Sequence, residues 1–315
     1  LKKYFFNCYL YMTKSSTNTR KTKKKEDVDI LKDTRWRVMR MAGAGFKSKK
    51  QKKETNDYII AIPSYKRHNT LKNKTLKFLE EQNIQKNKIF IFVGNKDEEI
   101  EYKKVLPEYK KQIIVGEVGM SNIRNFISNY FKEGQKIFNI DDDISSFETL
   151  VEIDGKKKLQ RFSGNDLDEF IKKGFNECLK TNLNLFGIYP ASNPFFMKDR
   201  ITYDLRYIIG SCWGSINSRQ IKVSMHDKED FERTLKYYIK DGGVIRFENT
   251  TVISGYYKEK GGMQETRTKK RVLESAEKLV EMYPKLCKLY LGKKSGYAEV
   301  KLKDVNKEFQ KKIVL

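Results

Sequence analysis

From Asp57 onward, short β-branched and aromatic runs alternate with segments of helical period, and this alternation constrains the fold more than any other feature. Four apolar runs predict buried strands, at residues 58–62, 88–93, 112–115 and 136–140. Three segments of helical pattern separate them, at residues 71–79, 97–105 and 121–131. Elements that alternate this closely are joined by right-handed crossovers. We therefore expect an α/β fold with a mainly parallel central sheet and helices on both faces.

The second half of the chain is less regular. Its pattern predicts helices at residues 170–179, 231–239 and 272–291, the last with a kink at Pro284. It also predicts short strands at residues 185–189, 207–209, 213–216 and 298–302. No internal repeat is visible in the sequence.

The basic charge of the chain is concentrated at its two ends. Residues 1–55 carry 17 basic and 5 acidic side chains, residues 56–262 carry 34 and 29, and residues 263–315 carry 14 and 7. We expect residues 1–55 to be a disordered basic arm, because they have almost no apolar periodicity. Such an arm would bind nucleic acid, or act as a solubilising or nuclear-import tail. Residues 56–262 form the predicted catalytic domain, and residues 263–315 a basic helix and short strand packed on it.

Composition narrows the class of protein further. The 315 residues are 38% hydrophobic, which is enough for a substantial core, and the net charge of +24 favours a polyanionic partner such as nucleic acid. The four cysteines are widely scattered and form no CxxC pair, which indicates a reducing compartment. No apolar run approaches the roughly 20 residues that span a bilayer. We expect a soluble intracellular protein with no membrane partner; in a virus, it would act in the host cytoplasm or nucleus.

Three consecutive aspartates, Asp141, Asp142 and Asp143, follow the fourth predicted strand. Like charges at this separation repel one another unless a cation lies among them. Because alternate residues at a strand end point the same way, Asp141 and Asp143 could bind one Mg²⁺ or Mn²⁺ ion that also holds a substrate diphosphate. Asp142 would then turn to a ribose or a backbone amide. The alternative is an acidic turn that caps a helix beginning at Ile144.

A glycine turn precedes the third predicted helix. Gly116 and Gly119 come before Ser121, a candidate N-cap residue, and Arg124 adds a cation near the helix start. A helix N-terminus of this kind can receive a phosphate group. Alternatively, Arg124 pairs with one of the aspartates.

These motifs, in this order, resemble those of GT-A glycosyltransferases. The resemblance rests on the segment from Ile62 to Arg67 after the first strand, on Gly119 with Arg124 and Asn125, and on the segment from Asn139 to Asp143. It implies a GT-A fold, a metal held by Asp141 and Asp143, and a nucleotide-sugar donor. The implied donor-binding residues are Pro63, Ser64, Tyr65, Arg67, Gly119, Arg124, Asn125 and Asp142.

Downstream motifs are similar to those of the TET/JBP-associated glycosyltransferases of phages, giant viruses and kinetoplastids. They are the segments 187–190 and 193–197, Tyr207 to Gly210 with Gly214 and Asn217, 228–235 and 241–246. The resemblance covers roughly residues 58–262. It implies transfer of a sugar, such as glucose from UDP-glucose, to the hydroxymethyl group of a modified pyrimidine in DNA, with Mn²⁺ or Mg²⁺ as cofactor.

In such inverting enzymes an acidic pair at the start of a late helix supplies the base, and Glu229-Asp230 matches it. We favour Asp230, since a carboxylate near the acceptor hydroxyl can take its proton; alternatively, both residues only stabilise the helix N-terminus. His226, just upstream, is expected to be an ordinary polar residue. The candidate acceptor-binding residues are Tyr189, Asn193, Trp213 and Gly214, with Phe195 beside them, although core packing is an alternative for each.

Three other functions remain open at this point. A GT-A enzyme could act on a protein or glycan acceptor instead of DNA. A polymerase or nuclease also uses clustered aspartates, for two-metal phosphoryl transfer. A transferase fold could also serve as a nucleic-acid tether without catalysis. The intact aspartate triplet and the Glu229-Asp230 pair argue against this non-catalytic function.

Overall fold

The computed structural model describes residues 57–255, 262, 267–292 and 296–303. These residues belong to one compact unit, which begins at Asp57. The predicted basic arm at residues 1–55 lies outside the described residues. None of the described helices combines the length and the hydrophobicity that crossing a bilayer requires.

An eight-stranded sheet forms the centre of the unit. Its strands are β1 Ile59–Pro63, β2 Ile89–Val93, β3 Ile113–Val115, β4 Lys136–Ile140, β7 Leu185–Ile188, β8 Ile201–Thr202, β9 Cys212–Ile216 and β10 Ile245–Phe247. Their order across the sheet is β3-β2-β1-β4-β9-β7-β10-β8. The β3-β2-β1-β4 half is entirely parallel. Strand β9 is antiparallel to both of its neighbours, and β8 is antiparallel to β10. The predicted α/β class with a mainly parallel sheet is confirmed.

Helices cover both faces of this sheet. Helix α1 has three consecutive parts: an α-helical turn at His68–Leu71, a π-helical turn at Lys72–Leu76 and an α-helical part at Lys77–Glu81. The other α-helices are α2 Lys96–Val105, α3 Met120–Tyr130, α4 Asp166–Thr181, α5 Glu229–Asp241 and α6 Lys269–Met282. Side chains alternate along each strand, so Ile60 and Ile62 pack on the face that α1 and α4 cover. Ala61 packs with Ile123 and Ile127 of α3 on the other face.

Two smaller sheets complete the described structure. Strands β5 Ile144–Ile153 and β6 Lys156–Arg161 form a hairpin that pairs with β11 Thr250–Ser254. Its two turn residues, Asp154 and Gly155, have φ values of 53° and 67°. Positive φ at both positions is the requirement of the tight turn that suits the twist of a hairpin. The helix considered as an alternative after Asp143 is therefore wrong, since Ile144 begins a strand.

The C-terminal segment differs from the predicted long, kinked helix. Helix α6 ends at Met282, and Tyr283 already has a non-helical backbone, because the residue before a proline is disfavoured in the helical region. Strands β12 Cys287–Tyr290 and β13 Glu299–Leu302 then form an antiparallel hairpin.

Two further local predictions are also wrong. Residues 207–209 form no strand, since the Ile208 N–H donates to the Thr234 hydroxyl of α5. The N-cap of α3 is Gly119 rather than Ser121; its φ of 102° lies in the region that favours glycine.

Candidate active site

The order β3-β2-β1-β4 places a topological switch point between β1 and β4, because the chain runs from β1 outward through β2 and β3 before it returns on the other side. Ligands of open α/β sheets bind at such a point, beyond the carboxyl ends of the strands. The segment after β1 and the three aspartates after β4 both lie at this edge. The fold therefore brings the segment after β1 and the three aspartates to the edge at which such sheets bind their ligands.

Ser64 and Arg67 connect the end of β1 to the aspartates. The Ser64 hydroxyl donates to Asp142 Oδ2 at 2.6 Å, and Arg67 Nη1 lies 3.3 Å from Asp142 Oδ1 and 4.0 Å from Asp143 Oδ2. Tyr102 of α2 supports both, since its hydroxyl is 2.7 Å from Ser64 Oγ and accepts from the Arg67 N–H at 3.0 Å. Burial raises the pKa of Asp142 to about 7, although the hydrogen bond from Ser64 and the charge of Arg67 act in the opposite direction.

The side chains of Tyr65 and Val118 approach each other beside this cluster. Pro63 is buried as the last residue of β1, and the Tyr65 ring lies against Gly94 at the end of β2. A Cβ atom on Gly94 would come within 2.9 Å of Tyr65 and 3.0 Å of Val118. Gly94 therefore allows these two side chains to approach, which leaves an aromatic and an apolar surface at the edge of the sheet.

The predicted residues of helix α3 have different partners. Gly119 lies beside His226, whose Nδ1 is 3.0 Å from the Ser121 hydroxyl. The Asn125 amide makes two hydrogen bonds to the backbone of Val223, at 2.8 and 2.9 Å, so Asn125 fixes the segment before α5. Both polar atoms of its side chain are thus used in these backbone hydrogen bonds.

Arg124 joins the two groups of carboxylates in the site. Its Nη2 donates to Asp141 Oδ1 at 2.8 Å and to the Gly210 carbonyl at 3.0 Å, and its Nε lies 3.6 Å from Glu229 Oε1. Glu229 also accepts from Arg233 at 2.7 Å. The Arg233 guanidinium in turn stacks on Trp213, 3.9 Å from the ring centroid. We call the side chains of Arg124, Asp141, Glu229, Arg233 and Trp213 the arginine network.

Glu229 and Asp230 are adjacent in sequence but have different environments. Glu229 is buried between the two arginines; burial raises its pKa, whereas Arg233 and Arg124 act to lower it. Asp230 is only partly buried and accepts a hydrogen bond of 2.5 Å from the Tyr207 hydroxyl. Asp230 is thus the more accessible of the two carboxylates, while Glu229 is held in its ion pairs.

The four candidate acceptor residues do not form one surface. Trp213 is 7% exposed and its ring contacts Arg233, so the structure assigns it a packing role. Gly214 faces the opposite side of the sheet, where an added Cβ would come within 2.0 Å of Phe186. Tyr189 is buried near Arg246. Asn193 remains partly exposed, and the neighbouring Phe195 is 78% exposed, so Phe195 is the most accessible aromatic ring among these acceptor candidates.

The aspartates suit a divalent cation by their chemistry. Asp141 and Asp143 supply hard oxygen donors at the end of β4, and Mg²⁺ is commonly held by one or two carboxylates together with substrate phosphates. Throughout the described ranges, no group of three or more His, Cys, Asp and Glu side chains forms a complete metal cage.

Sequence reasoning did not identify Tyr207, Arg233 or Tyr102 as parts of this site. A signal existed for Arg233, which follows Glu229 by four residues and therefore shares its helix face. The contacts of Tyr207 with Asp230 and of Tyr102 with Ser64 join positions 23 and 38 residues apart. No local pattern encodes contacts of this kind.

Comparison with protein-family models and with curated proteins gives no match. Among solved structures, the chain is similar to S. aureus TarS residues 1–349 in complex with UDP-GlcNAc, with 12% identity and a TM-score of 0.47 over 71% of this chain and 66% of that one. It is also similar to the mannosyltransferase PcManGT from Pyrobaculum calidifontis in complex with GDP-Man and Mn²⁺, with 11% identity and a TM-score of 0.44 over 81% and 73%.

The match to another TarS 1–349 structure covers 59% of that chain, and the match to the longer TarS chain covers 40%. All of these TM-scores lie below 0.5. The functional argument therefore rests on the residues of this chain and on the topology of its sheet.

Proposed function

We propose that this protein is a GT-A glycosyltransferase that uses a nucleotide-sugar donor and a divalent metal. One observation carries the proposal: buried Arg124 contacts both Asp141 at the switch point and Glu229, the residue next to Asp230. The carboxylate at the switch point and the start of α5, where Asp230 follows Glu229, therefore lie within the span of one arginine side chain. Sugar transfer requires this proximity, because the acceptor hydroxyl must attack the anomeric carbon of a donor held at the diphosphate.

Different residues would serve the two substrates. Asp141 and Asp143 would hold Mn²⁺ or Mg²⁺, which when bound stabilises the departing nucleoside diphosphate. Ser64 and Arg67 hold Asp142 for the donor ribose, and the side chains of Tyr65 and Val118 would accept its base. Asp230 would take the proton of the acceptor hydroxyl, which is the chemistry of an inverting transferase.

For the acceptor we propose a hydroxymethylated pyrimidine in DNA and for the donor a UDP-sugar, with glucose as the first candidate. The support is the resemblance of residues 58–262 to the TET/JBP-associated glycosyltransferases, together with a net charge of +24. Asn193 and Phe195 are the accessible residues that could hydrogen-bond and stack on an extruded base. A protein or glycan acceptor is the second candidate.

The proposal can be tested with radiolabelled UDP-glucose, Mn²⁺ and an oligonucleotide that contains 5-hydroxymethylcytosine or 5-hydroxymethyluracil. We expect label to enter the oligonucleotide with the wild-type protein and not with Asp230→Asn. Binding of UDP-sugar but not of dNTP separates this activity from a polymerase or nuclease. Transfer to a protein or glycan but not to DNA would retain the enzyme class and refute the acceptor.

A further inference from the structure

The short segment that precedes α5 carries two buried charges. Asp227 and Lys228 are 8% and 3% exposed, directly before Glu229 and Asp230. Burying a charge is unfavourable unless a partner of opposite charge accompanies it. The position of the helix start therefore depends on the residues that pair with these two side chains.

Residues of the C-terminal segment provide such partners. Arg271 of α6 makes two hydrogen bonds to the Asp227 carboxylate, from Nε at 2.6 Å and from Nη2 at 3.0 Å. Arg267 Nε lies 3.7 Å from the same carboxylate. Lys228 Nζ lies 3.6 Å from Glu299 Oε2 of β13. A two-point contact between arginine and carboxylate fixes orientation as well as distance.

Apolar packing links the same elements. Phe231 and Leu235 of α5 pack in one cluster with Leu279 of α6 and Val300 of β13. Tyr207 packs against this cluster and stacks on Phe231 with a centroid separation of 4.2 Å. The hydroxyl of Tyr207 donates to Asp230, so the C-terminal elements contact both the charged side chains just before Glu229 and the tyrosine that holds the Asp230 carboxylate.

We propose that α6 and the β12-β13 hairpin are a positioning element for Asp230, with Arg271 as its main positioning residue. Arg271 acts through Asp227 and does not touch the reacting atoms. This inference rests on the proposed function for its catalytic consequence. Its structural part, the control of the start of α5 by Arg271, is independent of which reaction the protein catalyses.

The test compares Arg271→Gln with Lys270→Gln in the full-length protein. Both variants remove one positive charge from the same turn of α6, but the side chain of Lys270 is 86% exposed and its ion pair is with Glu274 of its own helix, 3.9 Å away. Hydrogen exchange of peptides covering residues 224–231 reports on the helix start, and steady-state kinetics reports on transfer. Arg271→Lys, which keeps the charge but loses the two-point contact, should lie between wild type and Arg271→Gln.

We expect Arg271→Gln to speed exchange at residues 224–231 roughly tenfold or more and Lys270→Gln to leave it unchanged. The kcat for transfer should fall roughly 10- to 100-fold in Arg271→Gln with an unchanged KM for the donor, since small displacements of a catalytic group have effects of this size.

Unchanged exchange at residues 224–231 would overturn the inference. A uniform increase in the exchange rate across the whole chain would also overturn it, because that result would show a loss of general stability. Glu299→Gln provides a milder variant should Arg271→Gln fold poorly. If the exchange result holds while the wild type transfers no sugar, the proposed function fails and the role of Arg271 stands.

Discussion

Glu229→Gln should mainly lower the stability of the protein, whereas Asp230→Asn should mainly lower its rate of sugar transfer. Glu229→Gln removes the charge that lies 2.7 Å from Arg233 and 3.6 Å from Arg124, whose side chains are only 3% and 4% exposed. Removing one partner of a buried ion pair costs about 3–5 kcal/mol, because the remaining charge is left buried. For a domain of this size, we expect the Tm to fall by roughly 6–20 °C.

Asp230→Asn should be much better tolerated. Asp230 is partly exposed, and an asparagine oxygen can still accept the hydrogen bond from Tyr207. The expected loss is the interaction of a negative charge with the helix N-terminus, about 0.3–1 kcal/mol. Transfer should nevertheless fall by about 10²–10⁴-fold, which is the contribution of a general base.

Calorimetry, titration with UDP and Mn²⁺, and an initial-rate transfer assay distinguish the two variants. We expect Asp230→Asn to lower the Tm by no more than about 4 °C and to keep its UDP affinity, but to lose transfer. Glu232→Gln is not a suitable control, since its carboxylate holds the backbone of Ser224 and Met225; the exposed Glu281→Gln is suitable. An active Asp230→Asn protein, or a Glu229→Gln protein that is inactive with an unchanged Tm, would refute the reasoning.

Three further predictions follow from the site and the sequence. Asp141→Asn and Asp143→Asn should each reduce transfer by orders of magnitude and weaken UDP binding only when Mn²⁺ is present; equal activity in EDTA and in Mn²⁺ would contradict the metal assignment. Tyr207→Phe should lower kcat with little change in the donor KM, because it removes only the hydrogen bond that orients Asp230, and a raised donor KM would argue against this role. Deletion of residues 1–55 removes 17 basic side chains, so it should raise the KM for long DNA and flatten the salt dependence of that KM, with kcat on a short oligonucleotide nearly unchanged. Identical salt slopes for the truncated and the complete protein would indicate a localisation or solubility tail.

The first half of the fold was predictable because its signals are local. The runs that predicted the first four strands lie within one or two residues of β1 to β4. Strand, helix and strand in close succession imply parallel strands, whose carboxyl ends share one edge, and this led from the sequence to the position of Asp141 to Asp143.

The β5-β6 hairpin was missed although its turn carries a strong signal. Asp154-Gly155 between two strands is a common two-residue hairpin sequence, but the three lysines of β6 obscure the apolar alternation. An edge strand tolerates such charges because it is exposed. The signal of the turn is therefore more reliable here than the hydropathy of the strand.

The arginine network was not predictable, because its contacts depend on packing between distant segments. Arg124 meets Glu229 across 105 positions of sequence, and Trp213 is covered by Arg233 rather than open to a base. The sequence indicated which residue types were present. Only the approach of α3 and α5 over β9 decides which of them pair with one another and which remain accessible.

The most direct test of the proposed function is mass spectrometry of nucleosides released from hydroxymethylated DNA after incubation with the protein, Mn²⁺ and a panel of UDP-sugars. We predict a hexosylated hydroxymethylpyrimidine with at least one donor, absent from reactions with EDTA or with Asp230→Asn. Unmodified nucleosides with every donor, from a wild-type protein that binds UDP in the presence of Mn²⁺, would contradict the DNA acceptor.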